Sequence, residues 1–295
     1  MGSLHAMPTR TSRALVYAAA CLLLLGLLWF GAFYLGFVKL ADERVFIGFY
    51  DLTYEHYQHR IVATAQFLVS PFDPSRFVYL GAVCVVIALV RRRPRDACAV
   101  LVLLGGASLT TLVLKHLLPE PRVVSFFRYP SPVPYPRFPS GHATAAMALV
   151  LSLTLVSPAR LRPLVAGLGA VFAAAVGYSL LTLGTHFPSD VFAGFLVAAT
   201  WALLTAAALC ALDDRVGRSA EPRRPVSFRE ALRPPIAALL AAAALATIVV
   251  LSAPHAVVGY VRANTAFIVG AAVIAALSTA VSTGIALSVR RDVRR

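Results

Sequence analysis

His142 and His186 each stand at the mouth of an apolar run, beside residues that suit phosphate chemistry. His142 closes the stretch Phe138-Pro139-Ser140-Gly141-His142. Ser140 is a good helix N-cap, which leaves the backbone N–H groups of Gly141 and His142 at the positive end of a helix, an anion site by geometry. Gly141 lets an oxyanion come close to the backbone. Taken alone, the stretch reads equally well as an ordinary serine cap beside an interfacial histidine. His186 opens His186-Phe187-Pro188-Ser189-Asp190. Pro188 fits the first turn of a helix, and Asp190 falls just inside it, able to accept a ring N–H from His186. A carboxylate that holds one ring nitrogen makes the other a better nucleophile or base. The competing reading is an aspartate that only complements the helix dipole. Phe187 stands where the usual capping box would have Ser or Thr.

Lys115 lies near the end of an apolar span, where a lysine must snorkel or meet an anion. Arg122 follows across Pro119 and Pro121. Together they offer two cationic contacts to a phosphate, the arginine able to bind two oxygens. Two histidines, an aspartate and two cations on one membrane face suggest phosphoryl transfer through a phosphohistidine. One histidine attacks phosphorus and the other protonates the leaving oxygen. Cations and helix N-termini hold the remaining oxygens. The clustered carboxylates that magnesium favours are missing from this region, so the residues imply neither a metal nor another cofactor.

The elements that position these residues are membrane spans. The chain of 295 residues is 59% hydrophobic and 14% charged, against about 25% charged in a soluble domain. Apolar runs predict eight spans: 14–40, one beginning before 77 and ending at 90, 97–118, 140–157, 164–184, 188–212, 235–253 and 263–289. Residues 41–76 are amphipathic and aromatic, with Phe46, Phe49, Tyr50, Tyr54 and Tyr57 on roughly helical spacing. They predict a surface helix packed over the spans, without a role in substrate handling. Prolines at 119, 121, 130, 132, 134 and 136 make 119–137 a loop. Eight spans place both termini on one side. That side collects 18 of the 27 Lys and Arg residues and is therefore cytoplasmic, leaving the histidine stretches outside. The net charge of +14 is thus a consequence of topology, and nucleic acid is discounted as a partner. Cys21, Cys84, Cys98 and Cys210 lack C-x-x-C spacing and read as buried thiols.

With these motifs assembled, the chain resembles the type 2 phosphatidic acid phosphatase (lipid phosphate phosphatase) family. The resemblance rests on Lys115-x6-Arg122, Pro139-Ser140-Gly141-His142 and Ser179-x6-His186-x3-Asp190, in that order. It covers roughly 41–212 and implies an all-α polytopic protein with a six-helix transmembrane core, here followed by two more spans. It implies His186 as nucleophile, Asp190 as its orienting partner and His142 as general acid. It implies Lys115, Arg122, Ser140 and Gly141 as phosphate ligands, and a phosphorylated lipid as substrate. Two positions depart from the family pattern. Val123 follows Arg122 where proline is usual, and Leu180 stands where the family has a phosphate-contacting arginine. Arg128 and Arg137 are the replacements this sequence offers.

The expected organisation is a phosphatase-like domain over 1–212, a charged cytoplasmic linker over 213–234, and a two-span extension with a basic tail over 235–295. The expected function is a metal-independent lipid phosphate or diphosphate phosphatase of the plasma membrane, multi-pass, with its site extracytoplasmic. The alternatives are a phosphotransferase and a non-catalytic scaffold with a degenerate phosphate site. A transporter is disfavoured, because the charged groups cluster at one face instead of the midplane. The sequence specifies neither the lipid nor the oligomeric state.

Overall fold

The computed structural model describes residues 10–54, 59–118, 138–215, 228–252 and 254–288, and these are helical throughout apart from short turns. The helices are α1 (Arg10–Tyr34), α2 (Gly36–Tyr54), α3 (His59–Val69), α4 (Pro74–Val90), α5 (Pro94–Leu117), α6 (Gly141–Val156), α7 (Arg162–Thr182), α8 (Pro188–Arg215), α9 (Phe228–Ser252), α10 (Pro254–Ala263) and α11 (Thr265–Ser288). A single 3-10 turn, Ser70–Phe72, joins α3 to α4.

The bundle is apolar inside and out, as a chain in hydrocarbon must be. Leu22, Leu23, Leu24 and Leu27 of α1 and Val83, Val86 and Val90 of α4 face outward. The interior is lined by alanines and other small side chains, which allow helices to approach closely. α8 runs through the centre, against α1, α5, α6 and α11. α6 is surrounded by α4, α5, α7, α8 and α11, and thirteen of its residues are buried. At 16 residues it is about 24 Å long, short for a bilayer, and packing partners on every side make up for that.

Of the eight expected spans, α1, α5, α7, α8 and α11 are long and apolar enough to cross a membrane. A sixth arises if α3 and α4 are taken as one span with a 63° bend. α6 and the apolar part of α9 are shorter. The first span also ends earlier than the hydropathy suggested. The chain turns at Leu35, and the Val38 side chain comes within 3.5 Å of where a Cβ on Gly31 would sit. Seven residues along a straight helix span about 10 Å, so the contact requires a sharp bend. Gly36–Leu40 therefore belongs to α2.

α2 does pack over the spans, as expected, with Phe46 and Phe49 buried. It also reaches the site, which was not expected. The last helices are not an appendage. α11 lies along α2, where Gly48 faces the Phe267 backbone and Gly270 faces Val45. Tyr178 of α7 donates to the Ala271 carbonyl at 2.6 Å, and the Tyr260 hydroxyl donates to the Gly48 carbonyl. α9 begins at Phe228, two turns before the expected start at 235, and carries Pro234 and Pro235 inside it. A Cβ on Gly167 of α7 would lie 2.7 Å from the Ala237 methyl, so α7 and α9 touch backbone to backbone. Of the expected linker, Asp213–Arg215 close α8 and Phe228–Arg233 open α9. Cys98 is exposed on the outer face of α5, unlike the buried Cys84.

Candidate active site

Three helix ends meet at one end of the bundle. α6 begins as its sequence dictates. Ser140 is extended (φ −68°, ψ 119°), and its hydroxyl accepts the Ala143 N–H at 3.3 Å. The Ser140 N–H in turn donates to the Asp190 carbonyl at 2.9 Å. Gly194, one turn further along α8, passes so close that a Cβ there would sit 2.8 Å from the Ser140 carbonyl and 2.9 Å from the Thr144 nitrogen. α6 and α8 therefore start from one backbone junction, which sets His142 beside Asp190.

α5 is registered on that junction by hydroxyls. Thr111 donates to Thr144 Oγ1 at 3.1 Å, and Thr144 donates to the Ser140 carbonyl at 2.8 Å. Lys115 lies one turn beyond Thr111 on the same face. Its Nζ is 3.7 Å from the position a Cβ on Gly141 would occupy. The ammonium thus sits over the first turn of α6, in contact range of residue 141.

The turn that carries His186 is built by local rules. α7 ends with Gly184 at φ +66°, and the N–H groups of Gly184 and Thr185 donate to the carbonyls of Leu181 and Leu180 at 2.9 and 3.1 Å. That is the Schellman pattern, and it delivers the chain to His186. Pro188 opens α8 with Phe187 before it. The Asp190 Oδ2 accepts the Phe187 N–H at 2.9 Å and lies 3.4 Å from His186 Nδ1. The two readings of Asp190 hold together: one oxygen caps the helix and faces the imidazole. A separation of 3.4 Å is long for a hydrogen bond, and catalytic contacts of this kind tighten in the reacting complex. His186 is 7% exposed and Asp190 0%. Burial pushes the His186 imidazole below its ordinary range; Asp190 opposes this, and the charges of Lys115 and His142 add to it. At neutral pH the ring is therefore uncharged, with its lone pair available.

The site draws on two further carboxylates. Asp42 of α2 accepts from the Ser189 N–H at 2.9 Å and from the Ser189 hydroxyl at 2.7 Å, both buried. Asp73, at the break between α3 and α4, places Oδ1 3.3 Å from His142 Nε2. The expectation that 41–76 merely covers the spans is corrected here, since this stretch contributes an acidic contact to each of the two histidine motifs. No spacing in the sequence signals either contact; an acidic residue in so apolar a chain is the only hint. The Phe187 and Ser189 N–H groups of α8 are taken by Asp190 and Asp42. Neither of these bonds takes an N–H of the first turn of α6, over which Lys115 lies.

His186, Asp190, His142, Ser140, Gly141 and Lys115 are thus brought together. Arg122, Arg128 and Arg137 lie outside the described residues. Leu180 is 1% exposed, in the apolar core. Among the described residues, no group of three or more His, Cys, Asp or Glu side chains is placed to hold a metal ion.

The helical bundle places a histidine–aspartate pair near a helix N-terminus that a lysine overlies, and comparison with known proteins gives similarities of the same kind. Residues 96–211 match the model of the PAP2 superfamily. Among solved structures, the chain is similar to the transmembrane PAP2 type phosphatidylglycerolphosphate phosphatase from Bacillus subtilis. The two share 21% identity and superpose with a TM-score of 0.54 over 68% of this chain and 98% of that one. No curated protein matches the chain significantly.

Proposed function

We propose that the protein is a phosphatase acting on a phosphorylated membrane lipid through a phosphohistidine formed at His186. The observation that carries this reading is the convergence of Lys115, His142 and the His186–Asp190 pair on the first turn of α6. In the first step the lone pair of His186 Nε2 forms a bond to phosphorus. The bond from phosphorus to the leaving oxygen breaks, its electron pair stays on that oxygen, and His142 supplies the proton. Asp190 stabilises the imidazolium at Nδ1. Lys115 and the Gly141 and His142 N–H groups hold the non-bridging oxygens, joined by Arg122. In the second step water attacks phosphorus and gives its proton to His142, and the electrons of the N–P bond return to His186. An alcohol in place of water would make the protein a phosphotransferase by the same site.

The arginine-rich turns support an extracytoplasmic site at a plasma membrane. Arg91–Arg93 precede α5 and Arg95 lies in its first turn, Arg160 precedes α7 and Arg162 opens it, whereas Lys115 lies in the last turn of α5 and His186 follows α7. The site therefore lies at the bundle end opposite the positive one, on the outer face by the positive-inside rule. The test is phosphate release by detergent-purified protein offered phosphatidate, phosphatidylglycerophosphate and polyprenyl diphosphate without divalent metal. Release by the parent, and loss of at least about a thousandfold in His186→Ala with folding retained, is the expected result. Undiminished turnover in that variant would sink the mechanism.

A further inference from the structure

Of the two further carboxylates, Asp42 holds Ser189, whereas Asp73 is left without a role by these steps. It occupies the N-cap of α4 (φ −57°, ψ 141°), and its backbone does the ordinary work there. Its carbonyl accepts the N–H groups of Arg76 and Phe77 at 2.9 Å each. An N-cap aspartate normally turns its side chain onto the N–H groups of the first turn. Here it makes no such bond. Instead Oδ1 turns to His142 Nε2, 3.3 Å away on α6. The 63° bend between the helices flanking Asp73 aims it there. Phe72 anchors the bend, buried against Phe77 and Phe172 with ring centroids 6.4 and 5.9 Å away. Among the described residues, the other charged or titratable groups around the site are Lys115, over the neighbouring Gly141, and His186 with Asp190.

We infer that Asp73 is a positioning residue for proton transfer by His142, an inference that rests on the phosphatase reading above. Asp73 accepts the Nε2–H and fixes the ring about its own axis. The proton for the leaving group is then carried on Nδ1. When the bond to phosphorus breaks, the leaving oxygen takes the electron pair and the Nδ1 proton. His142 is left neutral, with Nε2–H still held by Asp73. The attacking water later returns a proton to Nδ1.

The experiment compares the parent with Asp73→Asn on two phosphate monoesters in the same micelles, one with an alkyl and one with an aryl leaving group. A poor leaving group depends on the proton and a good one depends on it far less. The His142 and Asp73 side chains are 32% and 48% exposed, so the effect is modest. On the alkyl ester kcat falls about two- to fivefold at constant KM, the range of exposed ion pairs. On the aryl ester it falls less. Asp73→Ser, which keeps a good N-cap but lacks the carboxylate, serves if the Asn variant folds poorly, and the same pattern is expected. Equal losses on both esters, a rise in KM alone, or parental kinetics in these variants would overturn the inference. His186→Ala is measured alongside. If it is inert while the Asp73 variants match the parent, only the role of Asp73 falls. If it turns over normally, the phosphatase reading falls and takes this inference with it.

Discussion

Gly194→Ala tests whether the site depends on the junction between α6 and α8. The new methyl would lie 2.8 Å from the Ser140 carbonyl oxygen, 2.9 Å from the Thr144 nitrogen and 3.0 Å from its hydroxyl. Ordinary contact begins near 3.4 Å, so α6 and α8 must separate by roughly 0.6 Å, and the two nearest atoms are backbone that no rotamer change can move. Overpacking of this sort costs about 1–3 kcal/mol. In a chain of this size each kcal/mol lowers the Tm by about 2–4 °C. The separation also stretches the 2.9 Å bond from Ser140 to the Asp190 carbonyl and draws His142 away from His186. A misplacement of 1 Å can reduce turnover by about a hundredfold, so a little over half that distance suggests roughly tenfold. The assay pairs a thermal melt in detergent with kcat on the lipid phosphate that the protein turns over best. A lower Tm with parental kcat would show that the close approach is packing only. Parental values of both would refute the reasoning altogether.

Asp42→Ala strips the buried Ser189 N–H and hydroxyl of their shared acceptor. A loss of about 1–3 kcal/mol in stability is expected, read by melting, together with reduced kcat as the His186 turn loosens. His186 gives a pH signature. The unfolded ring titrates near 6.5, and burial holds the folded ring lower. Between those values the unfolded state binds more protons, so stability is full above about pH 6.5 and is lost as pH falls towards the folded value. NMR titration of ring-labelled protein, assigned with His186→Gln, checks the direction. A His186 resonance titrating above 6.5 would contradict it.

Much of the site is local, and the local part was legible. Ser140 caps α6, Pro188 opens α8, and Asp190 faces His186 because these residues are neighbours in sequence and helix geometry fixes their relations. Hydropathy likewise marked the spans, although it ran past the bend at Leu35 and missed the two turns of α9 before its prolines. Propensity could not see that Pro234 and Pro235 would be tolerated against the glycine face of α7.

The sequence alone therefore determined which residues could handle phosphate and that a membrane bundle would carry them. Only the tertiary structure decided how they meet. It aimed the Lys115 ammonium at the first turn of α6 and sent an α2 carboxylate to Ser189. It turned Asp73 from its own helix to His142, and it braced α2 with α11. The two carboxylate contacts alone join residues 69 and 147 positions apart. No periodicity encodes them, because they are set by where small residues let backbones touch and by the bends that large ones anchor.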